Sequence, residues 1–119
     1  MNQNILNEQQ DIVIKVRTTL VPCEPQSMIG VDEGISKKIY PINGLRHPVN
    51  GGGSGWFIWS SVKEIPQDNP NFFKPTHAQH IYESYPLISK YLGLPPGWRF
   101  LIDDKGYEDI WYDASLFEV

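Results

Sequence analysis

The chain has 119 residues, 40% of them apolar and 20% charged, and its 14 acidic against 10 basic side chains give a formal net charge of −4. This length suits one globular domain with a single core. The mild excess of acid argues against nucleic acid or an anionic membrane surface as the partner. Cys23 is the only cysteine, so an intramolecular disulfide is excluded and a reducing, cytoplasmic location is expected.

The N-terminal half of the sequence predicts strands separated by loops. Residues 1–10 are polar and are expected to be frayed, which leaves residues 11–119 as the domain. Residues 11–20 alternate with period two, which predicts a first strand with one wetter face. Pro22, Pro25 and Gly30 predict a loop over residues 21–34, and a short strand is expected over residues 35–40.

The middle of the chain is punctuated by glycine and proline. Residues 44–55 contain the run Gly-Gly-Gly-Ser-Gly and predict a flexible loop. Residues 56–59 are apolar at every position, which predicts a central strand covered on both faces. Residues 62–75 contain three prolines and are expected to be irregular.

Two helical segments are predicted next. Thr76 is suited to cap a helix that runs to Ser84. Pro86 suits the first turn of a second segment over residues 87–92, which Gly93 ends.

A β-hairpin is the most informative stretch of the sequence. Apolar residues 98–102 and mixed residues 107–112 are separated by Asp-Asp-Lys-Gly, which is a turn sequence. Strands at both ends with helices between them predict an α+β fold, namely an antiparallel sheet with one or two short helices packed on it.

The hairpin also carries the charge imbalance of the chain, with six carboxylates against two bases from residue 99 onwards. Exposed aromatic rings framed by charge are typical of protein interfaces. Trp111 either is exposed among these carboxylates or packs inward with its edges capped by them, and the pattern does not decide between the two. The candidate partner-binding residues are Asp103, Asp104, Glu108, Asp109, Trp111 and Asp113.

Catalytic and cofactor motifs are weak in this sequence. The glycine run lacks the Gly-Lys-Ser/Thr ending of a phosphate-binding loop. His77 and His80 share a predicted helix without further ligands, so a metal site is not expected. His47 has no evident nucleophile to serve, and Cys23 lies beside an acid, which disfavours a reactive thiolate. We therefore predict a protein that is not an enzyme and uses no cofactor.

The large aromatic residues have a structural and a functional interpretation. Trp56, Trp59, Trp98 and Phe100 are expected in the core, since a small domain needs large side chains to fill its interior. As an alternative, a pocket for a small molecule or peptide is formed by four residues near the glycine run: Arg46, His47, Trp56 and Trp59.

Four segments resemble a known bacterial family when taken together: Ser-Gly-Trp-Phe-Ile-Trp from residue 54, Asn-Phe-Phe-Lys-Pro-Thr-His from residue 71, Tyr-Leu-Gly-Leu-Pro-Pro-Gly-Trp-Arg-Phe from residue 91 and Tyr-Glu-Asp-Ile-Trp-Tyr-Asp from residue 107. They are similar to the predicted immunity proteins of polymorphic toxin systems, in the family numbered thirty-three, over roughly residues 44–119. The resemblance implies an α+β fold, an antidote role in the cytoplasm and no enzymatic activity. The resemblance assigns no catalytic residues to this chain, and residues 1–34 lie outside the similar region.

The leading hypothesis is a non-enzymatic inhibitor that binds a toxin and occludes its active site with the acidic hairpin. A basic cleft, such as that of a nuclease toxin, is the expected partner surface. The alternative is a regulatory module that binds a small molecule or a peptide at the glycine run and the tryptophans.

Overall fold

The computed structural model describes residues 2–49, 53–61 and 69–118. In these residues one helix is followed by four strands, two helices and two further strands, and two short 3-10 helices, Glu33–Ile35 and Ala114–Phe117, lie after the first and the last strand. The elements are α1 (Gln3–Lys15), β1 (Met28–Asp32), β2 (Ile42–Arg46), β3 (Trp56–Ser60), β4 (Phe73–His77), α2 (Ala78–Ser84), α3 (Pro86–Ser89), β5 (Trp98–Ile102) and β6 (Glu108–Tyr112).

The six strands of the described residues form one sheet in the order β4-β1-β3-β2-β5-β6. Neighbours are antiparallel except β1 and β3, which run parallel. The α+β fold class predicted from the sequence is confirmed, but the sheet is mixed rather than antiparallel throughout. The predicted central strand is also confirmed, because β3 lies inside the sheet with Trp56 and Ile58 buried on one face and Trp59 buried on the other.

The helix α1 covers Gln3–Lys15, so residues 3–10 are helical rather than frayed and the strand predicted over residues 11–20 is wrong. The side chain of Asn2 caps α1 by accepting the N–H of Ile5 at 2.9 Å. The buried residues Ile5, Gln9, Ile12 and Val13 recur at helical spacing, whereas Ile14 is 70% exposed. The alternation of apolar and polar residues over 12–16 is therefore too short to distinguish a strand from an amphipathic helix, and the burial shows the helix.

The loops predicted in the first half of the chain contain strands. β1 lies within residues 21–34, and β2 begins before the predicted loop over residues 44–55 and includes its first residues. The strand predicted over residues 35–40 is wrong, since this stretch is the end of a 3-10 helix followed by a turn. β4 occupies the end of the predicted irregular segment 62–75. Parts of two predictions, at residues 50–52 and 62–68, lie outside the described residues.

The two predicted helices are present with different boundaries. α2 ends at Ser84 as predicted, but Thr76 belongs to β4, where its hydroxyl donates to the carbonyl of Lys74 at 3.3 Å. His77 is the N-cap residue and makes no side-chain capping bond. Pro86 occupies the first turn of α3, as predicted, and this helix ends at Ser89 rather than at Leu92.

Helices α1, α2 and α3 pack on one face of the sheet, which we call the helix face. The main core joins this face to the helices, and it includes Trp56, Ile58, Phe100 and Ile102 from the sheet. The opposite face carries a second, smaller cluster, in which a residue of the C-terminal 3-10 helix packs on the strands. We call this opposite face the aromatic face, and its cluster comprises Leu45, Phe57, Trp59, Phe72, Phe73 and Leu116.

Candidate functional site

The C-terminal hairpin has the predicted position, with Trp98 opposite Tyr112 and Ile102 opposite Glu108. Successive side chains of β6 point to opposite faces of the sheet. Leu45 on the aromatic face is the register partner of Arg99, which in turn is the partner of Trp111. Trp111 and Asp109 therefore lie on the aromatic face, and Glu108, Ile110 and Tyr112 lie on the helix face. The structure thus divides the six candidate residues between two faces and the turn.

Glu108 faces the helices and is bound into the fold. Its carboxylate forms an ion pair with Lys15 of α1 and accepts a hydrogen bond from the hydroxyl of Tyr91. Burial alone raises the pKa of Glu108, but the hydrogen bonds from Lys15 and Tyr91 outweigh burial and hold the pKa below its usual value. Glu108 therefore fastens the N-terminal helix to the hairpin and offers little free charge to a partner.

Asp103 shapes the hairpin turn. Its Oδ1 accepts the backbone N–H of Lys105 at 2.8 Å and that of Tyr107 at 2.9 Å. These two backbone donors lower the pKa of the Asp103 carboxyl. Asp103 is therefore a turn residue in the sense expected from the sequence, with one carboxylate oxygen already engaged.

Asp113 caps the C-terminal 3-10 helix. Its Oδ1 accepts the hydroxyl of Ser115 at 2.6 Å and the backbone N–H of Ser115 at 3.0 Å. Its Oδ2 accepts from Arg99 Nη1 at 3.1 Å. The bonds from Ser115, followed by the ion pair with Arg99, lower the pKa of Asp113. This carboxylate is part of the local fold.

Asp104 and Asp109 are exposed, and Trp111 is half-buried. The guanidinium carbon of Arg99 lies 5.4 Å from the centre of the Trp111 ring, which is a cation–π distance. Trp111 thus lies between the two predicted extremes: it shares a face with Asp109, and an arginine rather than the core covers part of its ring. Exposed acid beside a half-buried tryptophan is the part of the predicted surface that remains available to a partner.

The four residues of the alternative pocket do not form one site. Arg46 is buried, and its guanidinium donates to the carbonyls of Val21, Pro22, Ser54 and Leu94 at 2.8 to 3.2 Å. Trp59 belongs to the cluster on the aromatic face. Arg46 therefore has a structural role, and burial lowers the pKa of its guanidinium.

His47 and Trp56 do border a cleft of about 330 Å³ between β1, β3 and β4. Trp56 is 1% exposed and donates its indole N–H to the carbonyl of Leu92 at 3.1 Å. Nδ1 of His47 lies 3.3 Å from the carbonyl oxygen of Leu116, so the ring is oriented by backbone rather than by a carboxylate. The other lining residues are mostly apolar: Met28, Ile29, Gly30, Val49, Gly53, Ser54, Gly55, Phe57, Phe73 and Pro75.

The described residues contain no group of three or more His, Cys, Asp and Glu side chains that could hold a metal ion. His77 lies at the end of β4 and His80 in α2, where both border a shallow hollow with Glu83. Cys23 is buried, and burial raises the pKa of its thiol, so the reactive thiolate is disfavoured. Within the same described ranges, no helix is long and apolar enough to cross a membrane.

Sequence reasoning predicted that β3 is covered on both faces, but it missed the residues that cover the aromatic face and the structural role of Arg46. Phe57 and Phe73 contact each other edge-to-face with ring centres 5.1 Å apart, and Phe72 contacts Phe73 at 4.9 Å. The alternation of Phe57 and Trp59 with Trp56 and Ile58 is the signal that predicts two covered faces. No sequence signal identified Arg46, since its four acceptors are backbone carbonyls that come from three separate segments.

Comparison with known proteins gives one family. A family model described as an Imm33-like domain matches residues 8–113. The match extends the resemblance seen in the sequence from residue 44 back to residue 8, so it includes the second half of α1. No curated protein and no solved structure matches the chain.

Proposed function

Because this chain belongs to the Imm33-like domain family, a family of immunity proteins, we propose that it binds a cognate bacterial toxin and occludes the toxin's active site. Such a protein acts as a stoichiometric inhibitor in the cytoplasm and needs neither catalysis nor a cofactor. Membership of an immunity family suggests a non-enzymatic protein. The buried thiol of Cys23 and the carbonyl contact of His47 agree with that suggestion.

The exposed Asp109 beside the half-buried Trp111 on the hairpin is the observation that supports this function. Asp109 lies free on the aromatic face, while Trp111 is half-buried beneath Arg99. A carboxylate that accelerates encounter beside an aromatic anchor that slows dissociation is the combination expected of a tight inhibitor. Asp104, exposed at the hairpin turn, adds to the same negative region.

A basic toxin surface is the complement of this region. From Arg99 onwards the sequence has six carboxylates and two cations. Among the candidate acids, Glu108 is paired with Lys15, Asp113 is paired with Arg99, and Asp103 accepts two backbone N–H groups of the turn. We therefore assign the exposed Asp104 and Asp109 to the partner. A nuclease toxin, whose substrate-binding cleft is cationic, fits this charge.

The test is binding to the product of the neighbouring toxin gene, purified as a catalytically inactive variant. We expect Asp109→Lys to slow association about tenfold at low salt, with a smaller effect as salt rises, because screening weakens long-range attraction. Glu83→Lys is the matched control, since it makes the same charge change at an exposed position of α2. Association unchanged by Asp109→Lys would show that the partner binds another surface.

The anchor is tested separately through dissociation. We expect Trp111→Ala to raise the dissociation rate about 30-fold, which corresponds to roughly 2 kcal/mol for an interface hot spot. The unfolding midpoint of the variant must stay close to that of the wild type for this result to report on binding. If the neighbouring gene product is not toxic and forms no complex, the immunity function is refuted.

A second candidate function is supported by the cleft at His47. Its volume of about 330 Å³ and its apolar lining suit part of a small ligand or an apolar peptide side chain. Under this alternative the protein is a regulatory binding module. Titration with apolar peptides, followed by the amide signals of Gly53 and Gly55, distinguishes it from the inhibitor, for which those signals stay unchanged.

A further inference from the structure

The free edge of β6 presents unpaired backbone groups. Within the described part of the chain, β6 has a strand neighbour on one side only. The N–H of Asp113 donates to the carbonyl of Gly97 at 2.7 Å, and the N–H of Asp103 donates to the carbonyl of Tyr107 at 3.3 Å. Antiparallel strands alternate between hydrogen-bonded and non-hydrogen-bonded pairs. These two bonds therefore fix which residues of β6 point their backbone toward β5.

Tyr107 and Asp113 belong to hydrogen-bonded pairs, and every second residue between them does as well. The backbone groups of Asp109 and Trp111 therefore bond to β5. Trp98 and Tyr112 face each other as a non-hydrogen-bonded pair, and the N–H of Trp98 donates to the carbonyl of Pro95 at 3.2 Å and not to β6. The backbone N–H and C=O of the three intervening residues consequently point away from the sheet. These residues are Glu108, Ile110 and Tyr112.

The opposite edge of the sheet is protected. The N–H of Ala78 donates to the carbonyl of Ser27 at 2.9 Å, which makes the Gly30–Pro75 pair a non-hydrogen-bonded one by the same alternation. The nitrogen of Pro75 thus faces outward at the centre of β4 and has no hydrogen to donate. Proline on an edge strand is a common protection against strand addition. β6 contains no proline, so the two edges differ.

The side chains beside the β6 edge define what could pair with it. On the helix face Tyr112 is 53% exposed, and its ring lies 6.2 Å from that of Phe117, which is 49% exposed. On the aromatic face Asp109 is exposed. A strand added here would meet aromatic surface on one side and a carboxylate on the other. The complementary strand alternates apolar residues with a lysine or arginine.

We propose that β6 is the docking edge for an extended segment of the toxin, which adds to the sheet as a seventh strand. The inference rests on the proposed immunity function and specifies how the hairpin engages its partner. Main-chain hydrogen bonds supply the pairing, and the side chains beside the edge supply the specificity. A second copy of this chain is the less suitable occupant, because it would bring two acidic hairpins together.

Amide hydrogen exchange, resolved by residue, tests the pairing directly. In the free protein we expect the amides of Ile110 and Tyr112 to exchange fast and those of Asp109 and Trp111 to exchange slowly. Binding of the inactive toxin should slow exchange at Ile110 and Tyr112 at least about tenfold, since those N–H groups become hydrogen-bonded.

Each other result contradicts part of the proposal in a recognisable way. A complex that leaves Ile110 and Tyr112 in fast exchange overturns strand addition while the immunity function stands. Protection in the free protein that increases with its concentration shows that a second copy occupies the edge, which also overturns the proposal. Failure to form any complex with the toxin refutes the proposed function itself.

A pair of variants tests the same edge without exchange measurements. Tyr112→Ala and Tyr112→Pro remove the same ring, but only proline removes the outward N–H. We expect Tyr112→Pro to weaken toxin binding about tenfold more than Tyr112→Ala, the loss expected for one main-chain hydrogen bond. Both variants should melt within a few degrees of each other, because this N–H does not bond to β5. Equal affinities for two folded variants would overturn the proposal.

Discussion

Replacing Arg46 by methionine tests the assignment of this residue to the fold. The substitution keeps a stem of similar length and removes all donors to the four carbonyls. The carbonyls of Val21 and Pro22 are bonded in partly buried surroundings and can be hydrated, whereas those of Ser54 and Leu94 are buried. Each buried acceptor left unsatisfied costs about 1 to 3 kcal/mol, so the two together cost about 4 kcal/mol.

That loss is a large part of the roughly 5 to 15 kcal/mol by which domains of this size are stable. Urea unfolding, followed by circular dichroism and tryptophan fluorescence, measures it. Arg99→Met is the matched control, because Arg99 is only half-buried and has one ion pair, with Asp113. A loss below about 1 kcal/mol for Arg46→Met, or a loss equal to that of the control, would refute a structural role for Arg46.

Three further predictions concern other parts of the fold. Gly44→Ala should destabilise the protein by about 3 kcal/mol in urea unfolding, because a Cβ would lie 2.1 Å from the ring of Phe100; an unchanged midpoint contradicts the packing. The lowered folded-state pKa of Glu108 means that its contribution to stability is present above its unfolded pKa and is lost as the pH falls through the folded value. Between about pH 5 and about pH 3 the unfolding midpoint of the wild type should therefore fall more steeply than that of Glu108→Gln, and parallel curves would contradict this coupling. Cys23 should react with thiol reagents only at the rate of unfolding, since it is buried; rapid labelling of the native protein would show an accessible thiol.

The hairpin was the element best predicted from sequence, for reasons that are local. The Asp-Asp-Lys-Gly turn and the apolar run before it need no distant contact to specify a hairpin. β3 was equally clear, because apolar residues at every position indicate burial on both faces. In both cases the pattern and the tertiary environment favour the same conformation.

The errors lie where tertiary contacts decide. β4 contains Pro75, and β2 contains Gly44, so local propensity disfavours both strands. Gly44 fits because the Phe100 ring occupies the space that a side chain would need, and Pro75 fits because it lies on an edge. Neither fact is visible before the strand order is known.

In the candidate site, too, local features were predictable from sequence and those set by tertiary contacts were not. That the hairpin is acidic and aromatic was evident, but the roles of its carboxylates depend on their partners. Glu108 bonds to Lys15 and Tyr91, which are distant in sequence, so its engagement could not be predicted. The cap formed by Asp113 is local, and its Asp-Ala-Ser sequence is typical of a side chain that caps the following helical turn.

The strand order has a consequence for how fast the protein acquires its structure. β2 pairs with β5, so Ile42 lies beside Ile102, which is distant in sequence. The parallel pair of β1 and β3 also joins strands that are not consecutive. To form such non-local pairs the chain must first close large loops, and the entropy cost of closure is met before any contact compensates for it. Proteins dominated by these pairs fold over about milliseconds to seconds. During that interval apolar strands such as β3 are uncovered. Variants that slow refolding are therefore expected to be lost to aggregation during expression before any weakening of their binding can be measured.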